Sequence, residues 1–171
     1  VAADVGTQKA ILARRHIKSV APSARVRTIV SQIQSTEAID SLKGVDVLFG
    51  CVDNDGARLI LNEISKAYCI PYFDLAVGID VEAGRVTTVG GRVAVVTPGG
   101  PCLHCLKEID VDEARFFLSD VKERALMIEH GYVRGMDVSA PSVVSLNAAI
   151  GAAAVNEFAI AASGLRPPSS P

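Results

Sequence analysis

The stretch Val45-Asp-Val-Leu-Phe-Gly50-Cys-Val52-Asp53-Asn54-Asp55-Gly56-Ala-Arg58 decides the fold. Residues 45–52 form a near-continuous apolar run, the pattern of a parallel strand covered on both faces, so a central strand is expected here. Asp53 to Gly56 stop that strand with cap-forming residues. Ala57 to Tyr68 then returns to helical period through Leu59, Ile60, Leu61 and Ile64. Ile70–Val77 reads as the next strand, and the strand-turn-helix-strand order predicts an α/β sheet with right-handed crossovers.

Upstream, Lys9 to Val20 places Ile11, Leu12, Ile17 and Val20 at helical spacing with arginines opposite, and Pro22 prevents continuation. It is expected to be a surface helix on a sheet. Arg25–Val30 alternates and is β-branched, as a strand does, and Thr36 to Lys43 reads as a short capped helix. Downstream, Arg85–Val89 and Arg92–Thr97 read as two strands around a Gly90-Gly91 turn, an antiparallel hairpin extending the sheet. Asp110 to His130 is charged and helix-prone, Gly131 to Pro141 is a loop, and Ser142 to Ser163 is a long helix rich in small residues. The expected architecture is a Rossmann-like, doubly wound, mostly parallel sheet with an antiparallel hairpin extension.

The 171 residues suit one domain, and 49% hydrophobic against 21% charged residues makes it globular. A net charge of −2 with no run of like charge excludes a nucleic-acid polymer as partner. Val138 to Asn156 is uncharged, but its proline, serines and asparagines favour a packed interior helix over a membrane span. Four cysteines without a secretory leader pattern point to a reducing cytoplasm. Val1 and the closing Arg166-Pro-Pro-Ser-Ser-Pro171 read as cut edges.

Ligands of open α/β sheets sit at the C-terminal ends of the strands, where Asp53 falls. Mg²⁺ takes one or two carboxylates together with phosphate oxygens and waters, so Asp53 suits a nucleotide site. The other reading makes Asp53 the N-cap of the following helix. Asp4-Val-Gly-Thr-Gln-Lys9 puts a lysine at a helix start after a glycine turn, where backbone N–H groups favour anions, although a solvated charge fits the same pattern. Cys102-Leu-His-Cys105 has the spacing of one half of a tetrahedral zinc site, with Cys51 and Cys69 elsewhere in the sheet. A redox pair is the rival, without the usual strand-to-helix context. His16, His104 and His130 have no evident acid or nucleophile partner and read as surface or packing residues.

Together these segments resemble the ubiquitin-activating-enzyme-like adenylyltransferases of the ThiF/MoeB/HesA type. Val5-Gly-Thr-Gln-Lys9 resembles the family's Val-Gly-x-x-Lys box, and Cys51-Val-Asp53-Asn54-Asp-Gly-Ala-Arg58 its Cys-Thr-Asp-Asn-x-x-x-Arg box. Ile70-Pro71, Gly78, Gly84-Arg-Val and Gly100-Pro-Cys102-Leu-His-Cys105 match in order and spacing. Phe73–Ile79 and Ala140–Asn147 are similar to a bacterial branch that accompanies a deubiquitinase-like metalloprotease domain.

The resemblance implies ATP and Mg²⁺ as cofactors and a ubiquitin-like or sulfur-carrier protein as partner. Its C-terminal carboxylate would attack the α-phosphate to give an acyl-adenylate and pyrophosphate. Asp53 would bind Mg²⁺-ATP as the catalytic carboxylate, Lys9 would contact the phosphates, and Asn54 and Arg58 would support the site. Cys102 and Cys105 would hold Zn with a second pair nearer the family's C-terminus, and relatives are usually homodimers. The family's glycine-rich turn, acidic strand end and Asn-Leu-x-Arg segment are not found in these residues. Residues 1–171 are therefore expected to be a ThiF-type adenylation domain incomplete at the N-terminus and at the C-terminus. No cysteine lies in Leu106–Pro141, which disfavours a thioester step. Two other functions compete: a non-catalytic scaffold subunit of the same fold, and a nicotinamide oxidoreductase, for which the dinucleotide fingerprint is missing.

Overall fold

A computed structural model describes residues 4–82, 84–130 and 143–168 of the chain. It divides into two units, residues 1–42 and 43–171.

The second unit is organised by a long antiparallel ribbon. β-branched and aromatic side chains fill β2 (Tyr72–Glu82) and β3 (Arg85–Val96), whose ladder runs from Tyr72 opposite Val96 to Glu82 opposite Arg85. The reversal includes Gly84, whose φ of +78° is one that glycine adopts without strain. β1 (Leu48–Gly50) lies parallel to β2, with Leu48 opposite Tyr72 and Gly50 opposite Asp74. The described sheet is thus mixed and three-stranded, in the order β1-β2-β3.

Helices cover both of its faces, as the period of two along a strand requires. Phe73 stacks on its ladder partner Phe49 at 5.0 Å, and Phe158 of α6 (Val144–Ala162) meets the two rings edge-on at 5.9 and 5.6 Å. The flanking Tyr72 and Asp74 face the other way, toward Arg58 of α3 (Asp55–Tyr68). α3 also buries Ala57, Leu61 and Ile64. α4 (Val111–Leu118) closes over α3 at Gly56, where a Cβ would come within 2.9 Å of Phe117. α5 (Val121–Glu129) begins in a capping box of Asp120 and Glu123.

In the first unit, α1 (Lys9–Val20) and α2 (Thr36–Leu42) form where the apolar period and Pro22 predict. Ser35 Oγ accepts the Ala38 N–H at the start of α2. α1 has no buried residue. Arg25–Val30 is not a strand: no strand occurs among the described residues of this unit, and alternation without a ladder partner leaves backbone groups unpaired.

Three further expectations are corrected. Gly90-Gly91 is not a turn, because β3 runs straight through it opposite Gly78 and Val77. A Cβ on Gly91 would lie 2.6 Å from the Ile150 side chain and 2.9 Å from the Ala76 carbonyl, so that glycine serves the close approach of α6. The apolar run 45–52 yields three ladder residues at the edge of the described sheet, with Phe49 40% exposed, rather than a central strand. α6 is not an interior helix: Ile150, Ala154 and Phe158 lie at i, i+4 and i+8, and Ala154 alone is buried. By length and hydropathy α6 could cross a bilayer, yet this stripe faces the sheet. The expected loop 131–141 and the motif residues 140–142 lie outside the described residues.

Candidate functional site

The end of β1 is shaped by a polar cluster beneath it. Gly50 closes the strand under the Tyr72 ring, where a Cβ would stand 2.5 Å from the phenol oxygen. That phenol donates to Asp74 Oδ1 at 2.7 Å. Burial first, and then the Asp74 charge, push its pKa far above the usual range, so it remains a donor. Asp74 is fully buried and would be costly there alone. Arg58 Nε reaches both its oxygens at 3.0 Å and Arg92 Nη1 donates at 2.8 Å.

Both guanidiniums have second carboxylates. Arg58 pairs with Asp55, and Arg92 Nε with Glu108 at 2.7 Å. Burial works against the charge on Arg58, but Asp74 and then Asp55 outweigh it and raise the pKa. Asp55 also accepts the Asp110 N–H at 2.6 Å, tying the approach to α4 to the first turn of α3. Arg58 Nη2 points at the Val52 carbonyl from 3.5 Å. The loop 51–54 thus rests on a buried ionic platform.

On that platform Asn54, not Asp53, is the N-cap of α3: its side-chain oxygen accepts the Ala57 N–H at 2.8 Å. This removes the capping reading of Asp53. The Asp53 carboxylate is exposed at the C-terminal end of β1 and accepts one hydrogen bond, from Asn54 Nδ2 at 3.1 Å. A carboxylate has about four lone-pair sites, so most of its capacity stays open to a hard cation such as Mg²⁺. Cys51, two residues earlier, is held protonated by burial and by the Asp74 charge, which does not suit a nucleophile.

Asp53, Asn54 and Arg58 therefore gather around one loop. Lys9 belongs to the first unit, where it is the exposed first residue of α1 after Gly6, whose φ is +88°.

A second cluster follows β3. Pro98-Gly-Gly-Pro101 turns the chain with Gly99 at φ +80°, and Cys102–Glu108 folds into a tight knuckle. The N–H groups of Leu106 and Glu108 donate to the carbonyls of Cys102 and Leu103 at 3.0 and 2.9 Å. The two sulfurs stand 3.6 Å apart. Partial burial raises the Cys102 thiol, but hydrogen bonds from the Cys105 N–H and thiol, Asn62 and the His104 N–H bring it below the ordinary cysteine value. Zn–S bonds of about 2.3 Å in a tetrahedron separate sulfurs by about 3.8 Å, so the pair fits two corners of a zinc site. Among the described residues no group of three or more His, Cys, Asp or Glu is arranged to hold a metal, and Cys51 and Cys69 are free thiols elsewhere.

Tyr72, Asp74, Arg92 and Asn62 were not candidates from the sequence. A signal existed for Asp74, a charge inside the apolar run 70–77. Asn62, one helical turn beyond Arg58, carried none.

The chain matches the ThiF family over residues 1–170. It is similar to the SAMP-activating enzyme E1 of Haloferax volcanii, 27% identical over 103 residues that make up 60% of this chain and 35% of that protein. A sulfur carrier protein adenylyltransferase of Thermus thermophilus is 26% identical over 109 residues, 60% of this chain and 37% of its own length. The adenylyltransferase and sulfurtransferase UBA4 of Debaryomyces hansenii is 23% identical over 103 residues, 59% and 21% respectively. The matched stretch spans little more than a third of the first two relatives.

Proposed function

Because the chain belongs to the ThiF family, we propose that it forms part of an ATP-dependent adenylyltransferase that activates the C-terminal carboxylate of a ubiquitin-like or sulfur-carrier protein. The names of its relatives support that reaction class. The observation that carries the reading is the Asp53 carboxylate: exposed at the end of a parallel strand, relieved of capping by Asn54, and seated on the Arg58–Asp74 platform.

Asp53 holds Mg²⁺-ATP in this reading, and Mg²⁺ supplies neutralisation of phosphate charge. Asn54 orients Asp53, Arg58 fixes the loop from below, and Lys9 contacts the phosphates. The acceptor carboxylate forms a bond to the α-phosphorus as the bond to pyrophosphate breaks, a reaction served by positioning and charge rather than by an enzyme nucleophile. The protonated Cys51 thiol is consistent with that chemistry. The 3.6 Å sulfur separation supports zinc at Cys102 and Cys105 in the intact protein, with the remaining ligands from elsewhere. A doubly wound sheet, a homodimer and a cytoplasmic site complete the proposal.

The test is exchange of labelled pyrophosphate into ATP by the full-length polypeptide with a candidate carrier protein. Exchange is expected in the parent and lost in Asp53→Ala. Undiminished exchange in a folded Asp53→Ala protein removes the carboxylate from the mechanism.

A further inference from the structure

α3 carries a polar stripe of Arg58, Asn62 and Lys66, successive residues four apart on one face. Arg58 serves the platform under Asp53. The other two reach the cysteine knuckle: Lys66 Nζ donates to the Gly100 carbonyl at 2.9 Å, and Asn62 Oδ1 accepts the Leu103 N–H at 2.9 Å. The two anchors differ in kind. Lys66 grips the chain before the first cysteine, whereas Asn62 holds the main chain between the two cysteines.

Asn62 is fully buried, as is Leu103. A buried carboxamide must satisfy an acceptor and two N–H donors. Its Nδ2 donates to Glu63 Oε1 at 3.2 Å, and its Oδ1 is taken up by the Leu103 N–H. One rigid helical residue thus sets the backbone between the two thiols. Outer groups of this kind orient metal ligands.

We propose that Asn62 is a positioning residue for a soft divalent metal bound through Cys102 and Cys105, fixing the Leu103 main chain that joins them. This rests on the zinc reading above and extends it to a residue in the helix that also begins at the Asp53 loop. Loss of such an outer contact typically lowers metal affinity about 10–100-fold.

The test is Co²⁺ titration of the full-length polypeptide, followed by the thiolate-to-cobalt charge-transfer absorption, with zinc affinity taken from chelator competition. Asn62→Leu keeps much of the volume but removes the acceptor for the Leu103 N–H. Asn62→Ser retains an oxygen without the reach to the Leu103 N–H. Both are expected to weaken Co²⁺ and Zn²⁺ binding about 10–100-fold, while Lys66→Met stays near the parent. The rise in unfolding temperature on adding metal gives the same comparison for a variant of lowered stability. Unchanged metal affinity in either Asn62 variant overturns the inference while leaving the zinc reading intact. A parent without a charge-transfer band overturns both, and neither result bears on pyrophosphate exchange.

Discussion

Asp74→Asn should unfold the site platform at a cost that can be stated in advance. Asparagine has the shape of aspartate, so no cavity opens and the effect is electrostatic. Asp74 accepts from Arg58, Arg92 and Tyr72 through two oxygens, and every partner is a donor. Whichever way the new amide turns, its NH₂ faces a donor. Removing one partner of a buried ion pair costs about 3–5 kcal/mol. Two pairs are affected here, but Arg58 keeps Asp55 and Arg92 keeps Glu108, so about 3–5 kcal/mol is the expectation rather than twice that. Against a total stability of about 5–15 kcal/mol this is a large fraction. With a urea m-value of about 2 kcal/mol/M, the midpoint falls by about 1.5–2.5 M. Urea unfolding of the full-length polypeptide, followed by far-ultraviolet circular dichroism, measures it. A midpoint shift below about 0.5 M, corresponding to roughly 1 kcal/mol, would refute the claim that Asp74 is the charge on which the two arginines depend.

Gly90 and Gly91, adjacent in β3, should respond oppositely to alanine: Gly91→Ala meets Ile150 and the immovable Ala76 carbonyl and should cost about 1–3 kcal/mol, whereas Gly90→Ala has nothing within 4 Å and should be nearly neutral. Equal effects in thermal unfolding would return the pair to the role of a turn. Burial first, and then the Asp55 carboxylate, raise the pKa of Glu113, so the fold holds that proton more tightly than the unfolded chain does. Its contribution is full below the ordinary glutamate value and is lost as pH rises through the raised one. Glu113→Gln should therefore flatten that part of the pH profile and raise stability at neutral pH by less than about 1 kcal/mol, since the site is only partly buried. Unfolding curves at acidic and neutral pH that show Glu113→Gln destabilising at both would contradict the assigned cause.

The helices and the parallel β1–β2 pair are legible because their signals are local. Pro22 ends α1, and the cap-forming 53–56 segment starts α3 wherever the rest of the chain lies. Gly90-Gly91 is not legible in the same way. A diglycine marks a turn or a close approach, and what separates the two is Ile150, which lies far along the sequence and enters only through the packing of α6. The N-cap is a one-residue ambiguity between Asp53 and Asn54, both good caps. Resolving it toward Asn54 changes the chemistry, because it leaves the carboxylate beside the cap open.

Arg58 shows how a site can be read correctly in position and incompletely in physics. Its place in the Cys51–Arg58 box ties it to the Asp53 loop, and the structure gives that tie a material form in Asp55, Asp74 and Val52. Its charge is already matched by two carboxylates, so its contribution to a bound phosphate would come through the geometry of the loop rather than through direct attraction. The same helix carries Asn62 under the cysteine knuckle one turn later. A rigid α-helix with its first turn fixed by Asn54 and its middle fixed by Leu103 cannot shift at one end without straining the other. Both candidate sites thus hang on α3, with Arg58 holding the Asp53 loop at its start and Asn62 holding the cysteine knuckle at its middle.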